Sequence, residues 1–300
     1  MPDSVAPPSY CLLVNPAAGS GRAQKRLPAI AAELDRRGMR HRTVMTNGIE
    51  HGCAEAREAA ARGEIPVVVS GDGLIGKVGG VLAGTGTPLG IIPGGRGNDL
   101  ARVVGIPVDP AEAVAVLAAD ERRLIDVGEA NGERFLCIAS CGFDSDANRI
   151  ANEAKAVRGA LVYAYAALRA LAQWRPATFT VTVDGTVTTV RGYSVAVANS
   201  QAYGGGMFIA PRARLDDGEL DVVIIADAPK RRFLVGLPQL FRGTHVERDD
   251  VTCLRGRIVE VDADRPFEVY ADGDPLTTLP MRVSTLAGAL ELIAPAPEPR

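Results

Sequence analysis

The sequence predicts an α/β protein in two parts: a Rossmann-like three-layer α/β domain, then a C-terminal antiparallel β-sandwich domain, with a cleft between them. Three observations predict it. Apolar strand-like runs alternate with helix-periodic segments over residues 1–127; the alternation then stops, and strand-like runs follow one another over 128–284; and glycine-rich turns directly follow three of the early strands. A chain of 300 residues suffices for two modest domains. Hydrophobic residues at 47% and charged residues at 23% are the balance of an ordinary globular chain and exclude disorder, collagen and coiled coil as the main architecture. Aromatics at 5% are sparse, so the cores are expected to consist of Val, Leu, Ile and Ala.

Tyr10–Asn15 is a short apolar run ended by a proline and reads as a buried strand. Arg22–Arg37 places Leu27, Ile30, Ala31 and Leu34 at helical spacing, and Gly38 stops it. Arg40–Met45 is a second strand, Glu50–Arg62 an Ala-rich helix closed by Gly63, and Pro66–Ser70 a buried third strand. Gly71–Leu82 continues from glycines into a helix, Pro88–Ile92 is a fourth strand, Pro110–Ala119 a helix and Arg123–Val127 a strand. This rhythm implies a mostly parallel sheet covered by helices, whose ligands sit beyond the carboxyl ends of the strands.

Beyond residue 128 the strand-like runs are Arg134–Ala139, Ala177–Val183, Val187–Ala198, Leu220–Ala226, Arg257–Asp262 and Phe267–Tyr270. Asp184-Gly185 between two of them is a hairpin signal. Two helices interrupt the series: Arg149–Trp174, apolar at steps of three and four, and the basic Lys230–Arg242. Met281–Ile293 is strand-like again, and the segment 285–300 is expected to return to the first domain.

A net charge of −3 argues against a nucleic-acid partner. No apolar run approaches the ~20 residues of a membrane span, and MPDSVAPPSY, a short disordered lead, lacks the basic and apolar regions of a signal peptide. Five scattered cysteines and three dispersed histidines give no zinc spacing, and the thiols are expected to be reduced in a cytoplasmic protein.

Three glycine-rich stretches carry the chemistry. Asn15-Pro16-Ala17-Ala18-Gly19-Ser20-Gly21 opens the first helix; it is neither a GxGxxG nor a Walker A sequence, but free N–H groups at such a turn suit an anion. Ser70-Gly71-Asp72-Gly73 follows the most apolar strand, with glycines that let backbone approach a ligand and an acid that can hold a metal-bound water or a ribose. Pro93-Gly94-Gly95-Arg96-Gly97-Asn98-Asp99 follows the next strand. Together they suggest a nucleoside triphosphate held by backbone amides, with Arg96 meeting phosphate charge. Further along, Arg214-Leu215-Asp216-Asp217-Gly218-Glu219 reads as a plain turn or as a Mg²⁺ site using Asp217, and Ala271-Asp272-Gly273-Asp274 reads as a hairpin turn or as a proton acceptor.

In this order the motifs resemble the diacylglycerol kinase catalytic family: bacterial lipid kinases with an NAD-kinase-like fold, related to sphingosine kinases. The resemblance spans residues 10–295 and rests on VNPAAGSGR, SGDG, PLGIIPGGRGNDLAR, the Leu124–Gly128 strand, NSQAYGGGMFIAPRARLDDGELDVV and YADGDP. It implies a nucleotide site at Asn15, Pro16, Gly19, Thr46, Gly71, Asp72, Gly73, Asn98 and Asp99, with Asp126 lining the cleft. It implies a structural magnesium on Asp217 and the carbonyls of Arg214 and Glu219. It matches the family's catalytic Asp-Gly-Glu to Asp272-Gly273-Asp274, either carboxylate being a candidate base and Asp274 the favoured one. The sequence departs from the family at Leu74, Gly76, Lys77 and Arg96, which removes hydroxyl contacts and adds positive charge near the nucleotide. The expected reaction is transfer of the ATP γ-phosphoryl group, with Mg²⁺, to a lipid hydroxyl, foremost diacylglycerol, by an enzyme in peripheral contact with a membrane surface. Family members are often dimers, which leaves a homodimer open. The alternatives are an NAD kinase-like enzyme and an inactive lipid or nucleotide sensor.

Overall fold

A computed structural model describes residues 7–143, 145–147, 150 and 169–297. The chain divides into two compact units, Met1–Val127 with Gly288–Arg300, and Gly128–Ala287.

The first unit is built on four parallel strands, β1 (Ser9–Val14), β2 (Arg40–Met45), β3 (Ile65–Ser70) and β4 (Gly90–Pro93), in the order β2-β1-β3-β4. Leu13 lies opposite Val44 on one side and Val68 on the other. All six residues of β3 are buried, as expected of an interior strand covered on both faces, while β2 at the edge leaves Arg40, Thr43 and Met45 exposed or half-exposed. The helices are α1 (Arg22–Arg36), α2 (Ile49–Ala61), α3 (Asp72–Leu82), a short α4 (Asp99–Val103) and α5 (Pro110–Ala119). Helix α5 has a regular start: Pro110 in its first turn, and Asp109 accepting the N–H groups of Ala111 (2.9 Å) and Glu112 (3.2 Å). By contrast α1, α2 and α3 begin behind Gly21, Gly48 and Gly71, with no side-chain cap on any of them. Because these three helices follow β1, β2 and β3, their uncapped first turns lie at the carboxyl ends of the strands.

The strand β5 (Arg122–Ala130) carries the chain into the second unit, which contains β6 (Glu133–Phe135), β7 (Ile138–Gly142), β8 (Ala177–Val183), β9 (Thr186–Ala198), β10 (Leu220–Ala226), α6 (Lys230–Leu240), β11 (Val251–Gly256), β12 (Ile258–Ala263), β13 (Glu268–Ala271) and β14 (Asp274–Thr278); β15 (Met281–Ile293) leads back to the first unit. Its strand pairs are antiparallel. The long β9 joins them: Thr186–Gly192 pairs with β8, and beyond it Val195 lies between Cys141 of β7 and Ile224 of β10. Asp184 and Gly185, both at positive φ, make the two-residue turn between β8 and β9, and Asp272 and Gly273 make the same kind of turn between β13 and β14.

Two sequence expectations change. The single strand expected over Arg134–Ala139 is two, β6 and β7, broken at Leu136-Cys137, whose N–H groups bond outside the ladder. The core of the second unit is aliphatic, as expected, but carries an aromatic cluster as well. All seven phenylalanines fall between residues 135 and 267, and Tyr193 stacks on Phe233 (4.3 Å) beside Phe143, Trp174 and Phe267. The expected helix Arg149–Trp174 lies mostly outside the described residues, though Ile150, Leu171 and Trp174 are buried in this core. The expected N-terminal lead also lies mostly outside them. No helix among the described residues is long and apolar enough to cross a membrane.

Candidate active site

Within the first unit the three glycine-rich turns meet. Gly19, at φ +58°, stands so close to the next turn but one that a Cβ there would lie 2.4 Å from the Gly94 carbonyl oxygen. A Cβ on Gly95 would lie 2.4 Å from the Gly71 Cα. Side chains would force these backbones apart, which is why glycine occupies both sides of each approach. Hydrogen bonds complete the junction: Arg22 donates to the Gly95 carbonyl (3.3 Å), Arg96 donates to the Ser20 hydroxyl (3.0 Å), and Asn98 accepts the Gly95 N–H (2.8 Å). Asn15 accepts the Ala17 N–H (3.0 Å), turning the chain at Pro16. Arg22 closes the quoted VNPAAGSGR motif, but by itself it reads as an ordinary first-turn helix residue.

Asp72 is the staple of this junction. One oxygen accepts the Asn98 N–H (2.7 Å) and the other the Asp99 N–H (2.6 Å), so a residue of the second turn fixes the start of α4 in the third. Burial pushes its carboxyl above the usual carboxylate range and Asp99 adds to the shift, against the backbone bonds from Asp99, Asn98 and Leu100. Asn98, itself buried at φ 53°, is held in the left-handed conformation that Asn tolerates. Gly73 lies in the first turn of α3, beside Asp72.

The family departures have distinct surroundings. Leu74 is buried against α2, where a Cβ on Gly52 would fall 2.7 Å from its Cδ1 and 3.5 Å from Thr46 Cγ2, so the hydroxyl expected at this position is replaced by apolar packing. Thr46 is buried and its hydroxyl donates to the Val14 carbonyl (3.3 Å). Lys77 is half-buried, and its charge acts on the Cys53 thiol of α2. Arg96 is the exposed cation of the turns. Asp126, buried on β5, accepts the N–H of Gly288 on β15 (2.7 Å), both residues belonging to the first unit.

In the second unit the two acids of the 271–274 turn are not equivalent. Asp272 sits at φ 53° and points both oxygens at the break between β6 and β7, accepting the N–H groups of Leu136 (2.8 Å) and Cys137 (2.9 Å). The same two residues are held from the other side by Asn199, whose amide donates to the Leu136 carbonyl (2.9 Å) and whose N–H donates to that of Cys137 (2.8 Å). Asp274 is half-buried at the start of β14. Asn199 lay inside a quoted motif, but nothing in its spacing pointed to a strap 63 residues away.

At the expected magnesium position the Asp217 carboxylate has protein partners. One Asp217 oxygen accepts the Glu219 N–H (3.1 Å) and the other is ion-paired with Arg255, which also approaches Glu219 (3.0 Å) and Asp221 (3.8 Å). Arg214 lies 3.9 Å from Asp217, its guanidinium turned towards Asp216 (3.1 Å). Arg255 thus pairs directly with the Asp217 carboxylate, and Arg214 lies at its margin. Among the described residues no group of three or more His, Cys, Asp or Glu side chains is arranged to hold a metal ion. Arg255 went unnoticed in the sequence because its strand, β11, was not recognised.

Glycine turns at the carboxyl edge of a parallel sheet, followed by an antiparallel unit with an Asp-Gly-Asp hairpin, define a two-domain kinase. Residues 9–130 match the diacylglycerol kinase catalytic domain, and residues 137–294 match the YegS C-terminal NAD kinase beta sandwich-like domain. The chain belongs to the diacylglycerol kinase family and is a lipid kinase. It is 36% identical over 292 residues to a diacylglycerol kinase of Mycobacterium tuberculosis, covering 94% of each chain. It is 35% identical over 247 residues to a Pseudomonas aeruginosa protein named "Probable lipid kinase YegS-like", covering 81% of this chain and 80% of that one. The crystal structure of a diacylglycerol kinase from Bacillus anthracis shares the fold, with a TM-score of 0.74 at 22% identity over 96% of this chain and 97% of that one.

Proposed function

We propose that this lipid kinase transfers the γ-phosphoryl group of ATP, entering with Mg²⁺ as its co-substrate, to the free hydroxyl of diacylglycerol, giving phosphatidic acid and ADP, and that it works at a membrane surface. The observation that carries the nucleotide half is the junction of the three glycine turns beside helix starts that have no side-chain caps, an array of N–H donors suited to phosphate oxygens. Asn15, Pro16, Gly19, Gly71 and Gly73 present backbone there. Asp72, Asn98 and Asp99 keep the turns in register, Thr46 and Asp126 support the unit from within, and Arg96 adds the cation. In the reaction the lipid hydroxyl oxygen forms the new bond to Pγ, the bond from Pγ to the β,γ-bridging oxygen breaks, and the bridging oxygen leaves on ADP. The hydroxyl proton passes to Asp274. Asp274, which matches the family's Glu, is favoured as the base over Asp272, whose oxygens accept the Leu136 and Cys137 N–H groups. The diacylglycerol half is supported by the names of the relatives.

The test is a transfer assay with γ-labelled ATP, counting the organic and aqueous phases with diacylglycerol, with sphingosine and with NAD as acceptors. Label in the organic phase with diacylglycerol, lost in Asp274→Asn at unchanged melting temperature, is the expected result. Label transferred only to sphingosine or only to NAD would replace the acceptor, and full activity in Asp274→Asn would remove the base.

A further inference from the structure

Helix α6 has an outward face that does not resemble a solvated one. Its inward face is ordinary: Phe233, Gly236 and Leu240 are buried, and Gly236 lets Arg248 come so close that a Cβ would lie 2.7 Å from its guanidinium. Arg232, on the flank, is paired with Asp249 and approaches Asp250 (3.5 Å). At 100° per residue the other exposed positions, Lys230, Arg231, Leu234, Val235, Pro238 and the following Phe241 and Arg242, fall within an arc of about 140°, with half-buried Leu237 and Gln239 on its two flanks. Three of them are large apolar side chains left open to solvent, Leu234 at 39%, Val235 at 71% and Phe241 at 56%. Three are cations and none is an acid. A solvated helix face mixes both signs of charge and hides its large apolar groups.

We propose that this face of α6 is the surface by which the protein docks on an anionic lipid bilayer. Leu234, Val235 and Phe241 would enter the headgroup–acyl boundary while Lys230, Arg231 and Arg242 meet the lipid phosphates, the arrangement of an interfacial amphipathic helix. The choice of a bilayer over an acidic protein rests on the lipid-kinase assignment, but not on which lipid is phosphorylated or on ATP as donor. The inward anchorage through Arg248, which donates to the Arg232 carbonyl (3.3 Å), would hold the helix as a rigid keel.

Sedimentation with vesicles tests this without ATP or acceptor. The full chain is expected to pellet with phosphatidylcholine vesicles containing phosphatidylglycerol and to remain in the supernatant with phosphatidylcholine alone. Arg231→Gln and Arg242→Gln should each weaken binding roughly fivefold, the effect of one basic residue at an anionic surface, while Arg231→Lys should retain it. Val235→Asp together with Phe241→Asp should abolish binding while leaving the thermal melt and the transfer to acceptor in neutral detergent micelles unchanged. Micelle activity separates this proposal from the kinase reaction, because either can fail alone. Anionic-vesicle binding that all these variants keep, or a wild-type chain that ignores such vesicles and instead binds poly-glutamate, would overturn it.

Discussion

Two aspartates at glycine turns, Asp72 and Asp272, have the same job in different units: each offers both oxygens to consecutive backbone N–H groups of a distant segment. Replacing either with Asn leaves one acceptor and sets an NH₂ donor against an N–H donor, a loss of about 1–3 kcal/mol. Asp72→Asn is therefore expected to lower the melting temperature and to weaken ATP binding along with it. If it melted like wild type yet lost ATP affinity, Asp72 would be a ligand to the nucleotide rather than a staple. Asp272→Asn is expected to keep the left-handed turn, which Asn tolerates, but to melt earlier as Leu136-Cys137 loses an acceptor. The sequence showed that acids stood in these turns. It could not show where they pointed, because their partners lie 26 and 136 positions away. Arg96 and Leu74 illustrate the same limit: both depart from the family pattern, yet one bonds Ser20 across the junction and the other packs on Gly52.

Several elements were legible in advance: Arg40–Met45, Pro110–Ala119, Ala177–Val183 and Leu220–Ala226 have the bounds their sequences imply. Those missed were short or lay at the margin of the sheet. Helix α4 has five residues, too few for a period; β14 opens on Asp-Pro and pairs with β13 across a register shift; β11 leaves most of its side chains open or half-open. With β11 unrecognised, nothing in the sequence showed that Arg255 on that strand faces Asp217. Burial pushes the Asp221 carboxyl up, and Arg255 opposes the shift. The unit should accordingly melt at the same temperature in EDTA and in magnesium, and a rise with magnesium that vanished in Asp217→Asn would restore the cation site. The support of α6 gives a pH test. Arg248 holds the Asp250 carboxyl below the usual carboxylate range through two bonds (2.8 and 2.7 Å). A depressed folded-state pKa means stabilisation present above the unfolded value and lost as pH falls through the folded one. Asp250→Asn should thus melt earlier than wild type at neutral pH, and the gap should close as the pH is taken below the ordinary carboxylate range.

At the scale of the whole molecule, the chain crosses between its two units twice, outward along β5 and back along β15, so the first unit is not a continuous segment. The returning piece is built into that unit rather than laid on it. Leu290, Leu292, Ile293 and Ala294 are fully buried. Leu89 donates its N–H to the Glu291 carbonyl (2.8 Å) and accepts that of Ile293 (3.0 Å), Gly84 donates to the Ala289 carbonyl (2.7 Å), and Ala294 donates to that of Glu121 (3.0 Å). Burial of three large aliphatic side chains is worth about 5–9 kcal/mol at ~1.5–3 each, and a domain's whole net stability is about 5–15 kcal/mol. Removing residues 288–300 would therefore exhaust most of the stability of the first unit and expose Leu89. It would also take away the Gly288 N–H that Asp126 accepts and leave that buried carboxylate short of a donor. The second unit ends at Ala287 and keeps its core of stacked aromatics. A chain ending at residue 287 should consequently lose one cooperative transition in calorimetry, with proteolytic cleavage confined to residues 1–127. ATP binding should be lost with that transition, and adding the excised strand as a peptide should restore part of both. A truncated chain that melted like the full one and still bound ATP would show that the four parallel strands stand alone, and that the return of β15 serves only to tether the second unit.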